Sequence, residues 1–355
     1  MFQISRRKLL KQSTTALISL SSISLLNLLA NSTSAAETVI SNLETQIPKL
    51  MQNALIPGIS IAMIRDGELF WNKSFGVTHK YTKKPVSNET IFAAASLTKP
   101  LFAYAVLKMV ERGEIDLDKP LTEYTDTPLI SDSRIKLVTA RHVLSHTTGF
   151  PNWSGDKPVW FNNNPGVKFA YSSEGFLYLQ SVLEKITGQP LETYLQQQIL
   201  KPLEMNRSSL IWQSEYEKIA SYGHNRQNQP KPMSKPKTAG AAGSLRTTAS
   251  EYAQLLIAMM KPETSLQEML TPQIKLSNSL DWGLGWGLEK TNQGNFFWHW
   301  GDLTTFKNFT VASKDLQTGI VILTNSQNGL KICENIVNQA LGGKHPAFKY
   351  WMIDY

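Results

Sequence analysis

The chain has 355 residues, with 36 Lys and Arg against 28 Asp and Glu, a formal net charge of +8, 41% hydrophobic residues and one cysteine. That composition excludes wholesale disorder, collagen-like repeats and coiled-coil arrays, and the lone Cys333 excludes an intramolecular disulfide, a Cys-rich zinc site and an iron–sulfur cluster. The charge would suit a nucleic-acid binder, but Arg6, Arg7, Lys8 and Lys11, with no acid among them, lie in residues 1–36 and leave only +4 on the remainder.

Residues 1–36 read as an export signal cleaved near Ala36. The basic run Ser5-Arg6-Arg7-Lys8-Leu9-Leu10-Lys11 precedes an apolar stretch, Ala16 to Ala30, and a small-residue run ending at Ala36. The stretch is too short and too serine-rich for a membrane span, and the paired arginines suit a twin-arginine signal, with an ordinary Sec signal as the alternative. The expected location is periplasmic or secreted. Glu37 to Asn53 has helical apolar spacing, and Pro57-Gly58 stops it. Ile59 to Ile64 and Leu69 to Trp71 flank Asp66-Gly67, which predicts a hairpin. Ile91 to Ser96 leads into a helix over Leu97 to Gly113.

From Asp116 to Asn164 the Pro, Asp, Thr and Asn content predicts loops around short helices, one of them Thr139 to His146. A helix follows over Gly175 to Gly188, then a polar loop over Gln227 to Lys237, then a helix over Ser250 to Met260. Strands are predicted at Phe296 to Trp300, Phe309 to Ala312 and Gly319 to Asn325, and a last helix at Leu330 to Leu341. Strands at both ends and helices between them predict an α+β fold. One antiparallel sheet is built from 37–95 and 240–355, with a mostly helical region, 96–239, set into it.

The chemistry begins at Ser96-Leu97-Thr98-Lys99. At i and i+3 on a helix the two side chains share a face, so the lysine can bond the hydroxyl and help deprotonate it. Pro100 suits a first helical turn, which puts Ser96 at a helix N-terminus, where developing negative charge is favoured. The same four-residue pattern recurs at Ser5, Ser133, Ser154 and Ser234, but only Ser96 lies between an apolar run and a long apolar-faced helix.

Ser96-x-x-Lys99, Tyr171-Ser172-Ser173 and His299-Trp300-Gly301, in that order, resemble the three active-site elements of the serine β-lactamase and penicillin-binding protein superfamily. Within it they resemble the class C β-lactamase-like branch, with its D-Ala-D-Ala carboxypeptidases and esterases. Further matching segments are Leu117-Asp118-Lys119-Pro120, Ala140 to Gly149, Phe169 to Phe176, Ile199 to Met205, Ala241 to Leu245 and Gly283 to Trp286.

The resemblance implies an acyl-enzyme hydrolase with no cofactor and no metal, acting on cell-wall D-amino-acid peptides, β-lactams or related amides and esters. A promiscuous esterase or a slowly deacylating penicillin-binding sensor is the alternative. Its partners would be small molecules or peptidoglycan peptides, not nucleic acid. Ser96 would be the nucleophile, Lys99 its activating partner, and Tyr171 a candidate general base for acylation and proton donor to the leaving group, its phenolate favoured where the phenol is held near Lys99. The backbone N–H groups of Ser96 and Asp302 would form the oxyanion hole, and Gly301 would let substrate approach the strand. Two positions depart from the family pattern. Ser173 stands where the family has Asn, and His299 where it has Lys. A histidine there would make carboxylate recognition depend on pH. His142 and His146, four apart, lack the Glu and third ligand of a metal site, and Trp282, Trp286, Trp298 and Trp300 read as core with one or two at the cleft. Tyr222 reads as a substrate contact.

Overall fold

The computed structural model describes residues 37–125, 129–261 and 264–350; the export-signal reading of residues 1–36 lies outside them. The described residues from Pro48 onward form one compact unit, and residues 37–47 begin the first helix, α1 (37–54). Strands β1 (Gly58–Arg65) and β2 (Glu68–Gly76) form the hairpin expected around Asp66-Gly67, and both turn residues take positive φ. A short strand, β3 (Phe92–Ala93), and a 3₁₀ turn, Ala95–Leu97, lead into α2 (Thr98–Glu111).

The middle of the chain carries α3 (Ala140–Leu144), α4 (Ser173–Thr187), α5 (Leu191–Leu195) and α6 (Tyr216–Ile219). Gly188 ends α4 in the left-handed conformation that a residue without Cβ adopts freely. The polar loop expected over 227–237 contains one arm of a small hairpin, β4 (Gly223–His224) with β5 (Pro230–Lys231). Then follow β6 (Arg246–Thr247), α7 (Ala249–Met260) and α8 (Thr264–Met269). The chain closes with β7 (Ile274–Lys275), β8 (Leu280–Trp282), β9 (Gly287–Lys290), β10 (Asn295–Asp302), β11 (Lys307–Ser313), β12 (Thr318–Thr324) and α9 (Leu330–Leu341).

The main sheet has eight strands in the order β2-β1-β12-β11-β10-β9-β8-β7, so the N-terminal hairpin pairs with the C-terminal strands, as the sequence pattern predicts. Ile59 sits opposite Thr324, and Ile64 opposite Gly319. The central strands β1, β11 and β12 are buried along nearly their whole length, which explains the near-continuous apolar sequences of β1 and β12; β11 buries Lys307, Asn308 and Thr310 beside its apolar residues. Helix α7 packs on β1, β2 and β12, and α9 on β11 and β12.

Helix α2 is buried on almost every side, including Lys99, instead of showing one apolar stripe. It therefore runs through the core and presents its N-terminal turn to the end of β10. Cys333 is a core residue on α9, and burial pushes its thiol up, away from reactivity.

Candidate active site

Ser96 occupies the 3₁₀ turn before α2, and the surrounding backbone holds it from several sides. Ala95 has a positive φ of 54°, an uncommon conformation for a residue with a Cβ. The conformation is fixed by its neighbours. Thr98 Oγ1 donates to the Ala95 carbonyl at 2.6 Å and accepts from Leu245 N at 3.0 Å. Tyr252 Oη donates to the Leu97 carbonyl at 2.8 Å, and Asn308 Nδ2 to the Ala93 carbonyl at 2.9 Å. The turn is thus tied to α7, to β11 and to the segment entering β6.

Lys99 is fully buried, one turn along. Its Nζ lies 3.2 Å from Ser96 Oγ and donates to the Ala242 carbonyl at 2.7 Å. Among the described residues no carboxylate pairs with it, and burial lowers its pKa from 10.5 to about 7. Tyr171 closes the other side, with the Lys99 ammonium 4.9 Å from its ring centroid. The amine meets the ring face, and burial pushes the phenol well above its ordinary range. Its hydroxyl makes no well-formed hydrogen bond, although the nearby Ser96 hydroxyl slightly favours ionisation. The expected phenolate is therefore corrected. Desolvation disfavours the phenolate, and the group poised to lose or gain a proton near neutrality is Lys99.

Of the two departures from the family pattern, His299 comes out differently from expectation. His299 is wholly buried on β10, with Nδ1 2.7 Å from the Trp300 carbonyl, so Nδ1 carries the ring proton. Burial, aided by Lys99, lowers its pKa to about 3. It is neutral at physiological pH and supplies no switchable charge for a carboxylate. Ser173, the first residue of α4, does not reach Lys99. Its Oγ donates to Asn152 Oδ1 at 2.9 Å, and its N–H bonds the same oxygen at 3.1 Å.

Gly301 is needed for a contact inside the protein. A Cβ there would lie 2.3 Å from the Ala94 carbonyl oxygen, so the bare backbone lets β10 close onto the Ser96 turn. Beyond Trp298, β10 pairs with β11 alone, because pairing with β9 ends at Trp298–Gly287. Asp302 ends the strand at the cleft, its carboxylate 3.1 Å from Lys307. The cleft is a cavity of about 290 Å³ lined by Ser96, Tyr171, Ser173, Asn152 and Asp302 among others, with Trp153, Trp300 and Leu303 as its large apolar side chains.

A Beta-lactamase family profile matches residues 43–341. The chain belongs to the Beta-lactamase family. It is 24% identical over 336 residues to Protein flp of Staphylococcus aureus strain N315, covering 85% of this chain and 67% of that protein. It is 26% identical over 231 residues to Esterase EstB of Burkholderia gladioli, covering 56% of this chain and 58% of that one. The solved β-lactamase/D-alanine carboxypeptidase of Pseudomonas syringae shares its fold at a TM-score of 0.78, with 19% identity and coverage of 86% of this chain and 98% of that chain.

Of the remaining expectations, the tryptophan reading holds and the substrate contact expected of Tyr222 is corrected. Trp282, Trp286 and Trp298 are core, and Trp300 alone of the four lines the cleft. Tyr222 packs edge-on against His79 with centroids 4.6 Å apart and does not line the cleft. His142 caps α3 through Thr139. His146 accepts from Ser172 N at 3.1 Å and stacks under Tyr171 at 4.1 Å. Asn152 and Trp153 were not signalled by any motif. Among the described residues no helix is long and apolar enough to cross a membrane.

Proposed function

We propose that this chain is an exported serine hydrolase that forms a covalent acyl-enzyme on Ser96. The observation that carries the reading is the buried, uncompensated Lys99 amine 3.2 Å from Ser96 Oγ, with its pKa near 7. About half of such amines are free base at neutral pH and can accept the hydroxyl proton. Ser96 Oγ then bonds the substrate carbonyl carbon, and the resulting oxyanion is met by the N–H groups of Ser96 and Asp302. The carbon–oxygen or carbon–nitrogen bond breaks as Lys99 returns the proton to the leaving group, directly or by way of the Tyr171 hydroxyl. Water, deprotonated in the same way, releases the acid and restores Ser96.

Uncharged esters and amides suit the cleft better than carboxylate-bearing peptides. Among the described residues Asp302 is the only charged side chain lining it, its neighbour Lys307 is paired with that carboxylate, His299 stays neutral, and Lys99 is engaged at Ser96. The likeness to a protein named an esterase supports the same choice. A slowly deacylating penicillin-binding sensor is the second reading, favoured by the engagement of Ser173 with Asn152 instead of with Lys99.

Intact mass and product release, recorded with p-nitrophenyl butyrate and with a penicillin, separate the two. Ester turnover lost in Ser96→Ala is the expected result. A persistent penicillin adduct without product selects the sensor, and turnover undiminished in Ser96→Ala overturns the site. The export reading rests on residues 1–36 and predicts a shortened chain outside the cytoplasm on cell fractionation.

A further inference from the structure

We infer that the surface formed by residues 77–86 and 218–231 docks an anionic polysaccharide beside the cleft. No Asp or Glu occurs in residues 69–88 or 218–250, and these two stretches carry ten Lys and Arg, so the rest of residues 37–355 is net acidic. The basic charge beyond residue 36 is therefore concentrated, and a concentrated patch of one sign draws a polyanion. Export, as proposed above, sets where such a polymer is met; docking itself does not require the acyl-enzyme chemistry.

Folding lays the two stretches side by side. Tyr222 N donates to the Thr78 carbonyl at 3.0 Å, and Lys80 N to His224 Nε2 at 3.2 Å. Lys84 Nζ donates to the Lys218 carbonyl. The β4–β5 hairpin sets Lys231 opposite Gly223, next to Tyr222. Lys83, Lys84, Lys218 and Lys231 are exposed, and Lys80 is partly so. Glu89 and Glu217, which border the stretches, pair with Arg207 and Lys235. The patch also adjoins the cleft. His224 N donates to the Thr305 carbonyl at 3.4 Å, and a Cβ on Gly223 would collide with Thr305, two residues beyond Leu303 of the cleft wall. A neutral ester borne on an anionic polymer thus has its reacting group in the cleft and its charges on the patch.

Two tyrosines stand in the same surface, Tyr81 at 66% and Tyr222 at 42% exposure. The His79 ring lies edge-on to both, with centroids 5.8 and 4.6 Å away. His79 is itself held, because its Nδ1 accepts from Tyr81 N at 3.2 Å and from Thr82 N at 3.3 Å. The phenols are thus ordered before any ligand arrives, and little ordering is left to binding. A pyranose ring offers a C–H face that stacks on a phenol and hydroxyls that bond its oxygen, and carboxylates on neighbouring sugars meet the lysines. Nucleic acid suits the surface less well. Eight of the ten basic residues are lysines, which lack the bidentate fork that reads phosphates and base edges. The surface is built on loops, two-residue strands and the end of a four-residue helix, none of them long enough to fill a groove.

The test measures fluorescence anisotropy with three labelled probes of similar length: a polygalacturonate oligomer, a neutral dextran and single-stranded oligo-dT. Polygalacturonate is expected to bind, dextran not, and the binding weakens as salt rises from about 50 to about 200 mM. Lys83→Glu with Lys231→Glu, one change from each stretch, weakens polygalacturonate binding about tenfold. Lys136→Glu with Lys275→Glu makes the same change of charge in the helical region and at the far edge of the sheet, and weakens it by less than about threefold. Tyr81→Ala with Tyr222→Ala weakens it too and leaves the salt dependence as it was. Melting temperature shows that each variant folds, with no recourse to ester turnover, so failure of the acyl-enzyme reading leaves this test intact. Lys83→Gln with Lys231→Gln replaces the charge reversal if that variant does not fold, with an expected loss of about threefold. Three results overturn the inference: polygalacturonate bound no better than dextran, oligo-dT bound more tightly than polygalacturonate, or a patch variant that binds polygalacturonate no more weakly than the protein changed at Lys136 and Lys275.

Discussion

A lysine with no counter-charge is costly to bury, and Lys99 is buried completely. Its pKa of about 7 ties catalysis and stability to the same proton. The free amine is the working form, so kcat/KM for an ester rises with pH through about 7 and then levels off, which a pH–rate profile measures directly. Stability follows the same group. Below pH 7 the folded protein bears the full cost of the buried charge. Between 7 and 10.5 folding releases the proton and the cost shrinks as pH rises. Above 10.5 both states are neutral and none remains. Lys99→Met is therefore expected to stabilise the protein by about 2–4 kcal/mol at pH 6, after allowing for the lost bond to the Ala242 carbonyl. The gain vanishes as the pH approaches 10.5, and urea denaturation at several pH values checks it. No sequence pattern foretold this proton, because Ser96-x-x-Lys99 specifies a distance and not a dielectric. The same gap explains His299. A histidine in sequence suggests a switch, and only the burial of β10 shows that it does not titrate in the neutral range.

At the level of elements, the site depends on how closely β10 lies against the turn before α2. Gly301→Ala places a methyl group 2.3 Å from the Ala94 carbonyl, a backbone atom that cannot turn aside. The strand must shift, at a cost of about 1–3 kcal/mol. Because Asp302 moves with it, the loss of ester turnover should exceed what that lower stability explains. Melting temperature and Ser96 labelling by a fluorophosphonate, measured together, separate the two effects. The elements themselves were legible from local signals: Asp66-Gly67 for the hairpin, Gly188 for the end of α4, and a near-continuous apolar run for β12. Asn152 was not legible. Its place in the cleft comes from a loop meeting the start of a helix 21 residues further along the chain, and no local pattern records that meeting.

For the whole molecule, the order of strands makes the sheet and the site inseparable. β1 pairs with β12, so residues as far apart as Ile59 and Thr324 must meet before the sheet is complete. Ser96 follows directly from the N-terminal strands, whereas Asp302 belongs to the C-terminal ones. Equilibrium unfolding in urea is expected to lose tryptophan fluorescence and Ser96 labelling in one coincident transition. Separate midpoints would show that the sheet and the helical region unfold independently. Formation of the sheet is also expected to be slow, because distant pairings dominate it. The antiparallel sheet shared by both chain ends could be read from where the strands fall in sequence. The edge of β10 left open beyond Trp298 could not, since it depends on where β9 stops.

In the segment Pro151–Ser154, clamped to the start of α4, Trp153 is the exposed residue whose side chain the clamps leave alone. Trp153 lies between two anchored neighbours, 58% exposed, over a cleft whose reactive groups come from other parts of the chain. Its indole can change without disturbing Ser96 or Lys99, and without untying the loop that carries it. Reaction and preference are thereby housed in separate pieces of chain. A lineage that keeps the acylating core can drift toward new acyl groups by altering a single exposed position, with little for the rest of the protein to compensate.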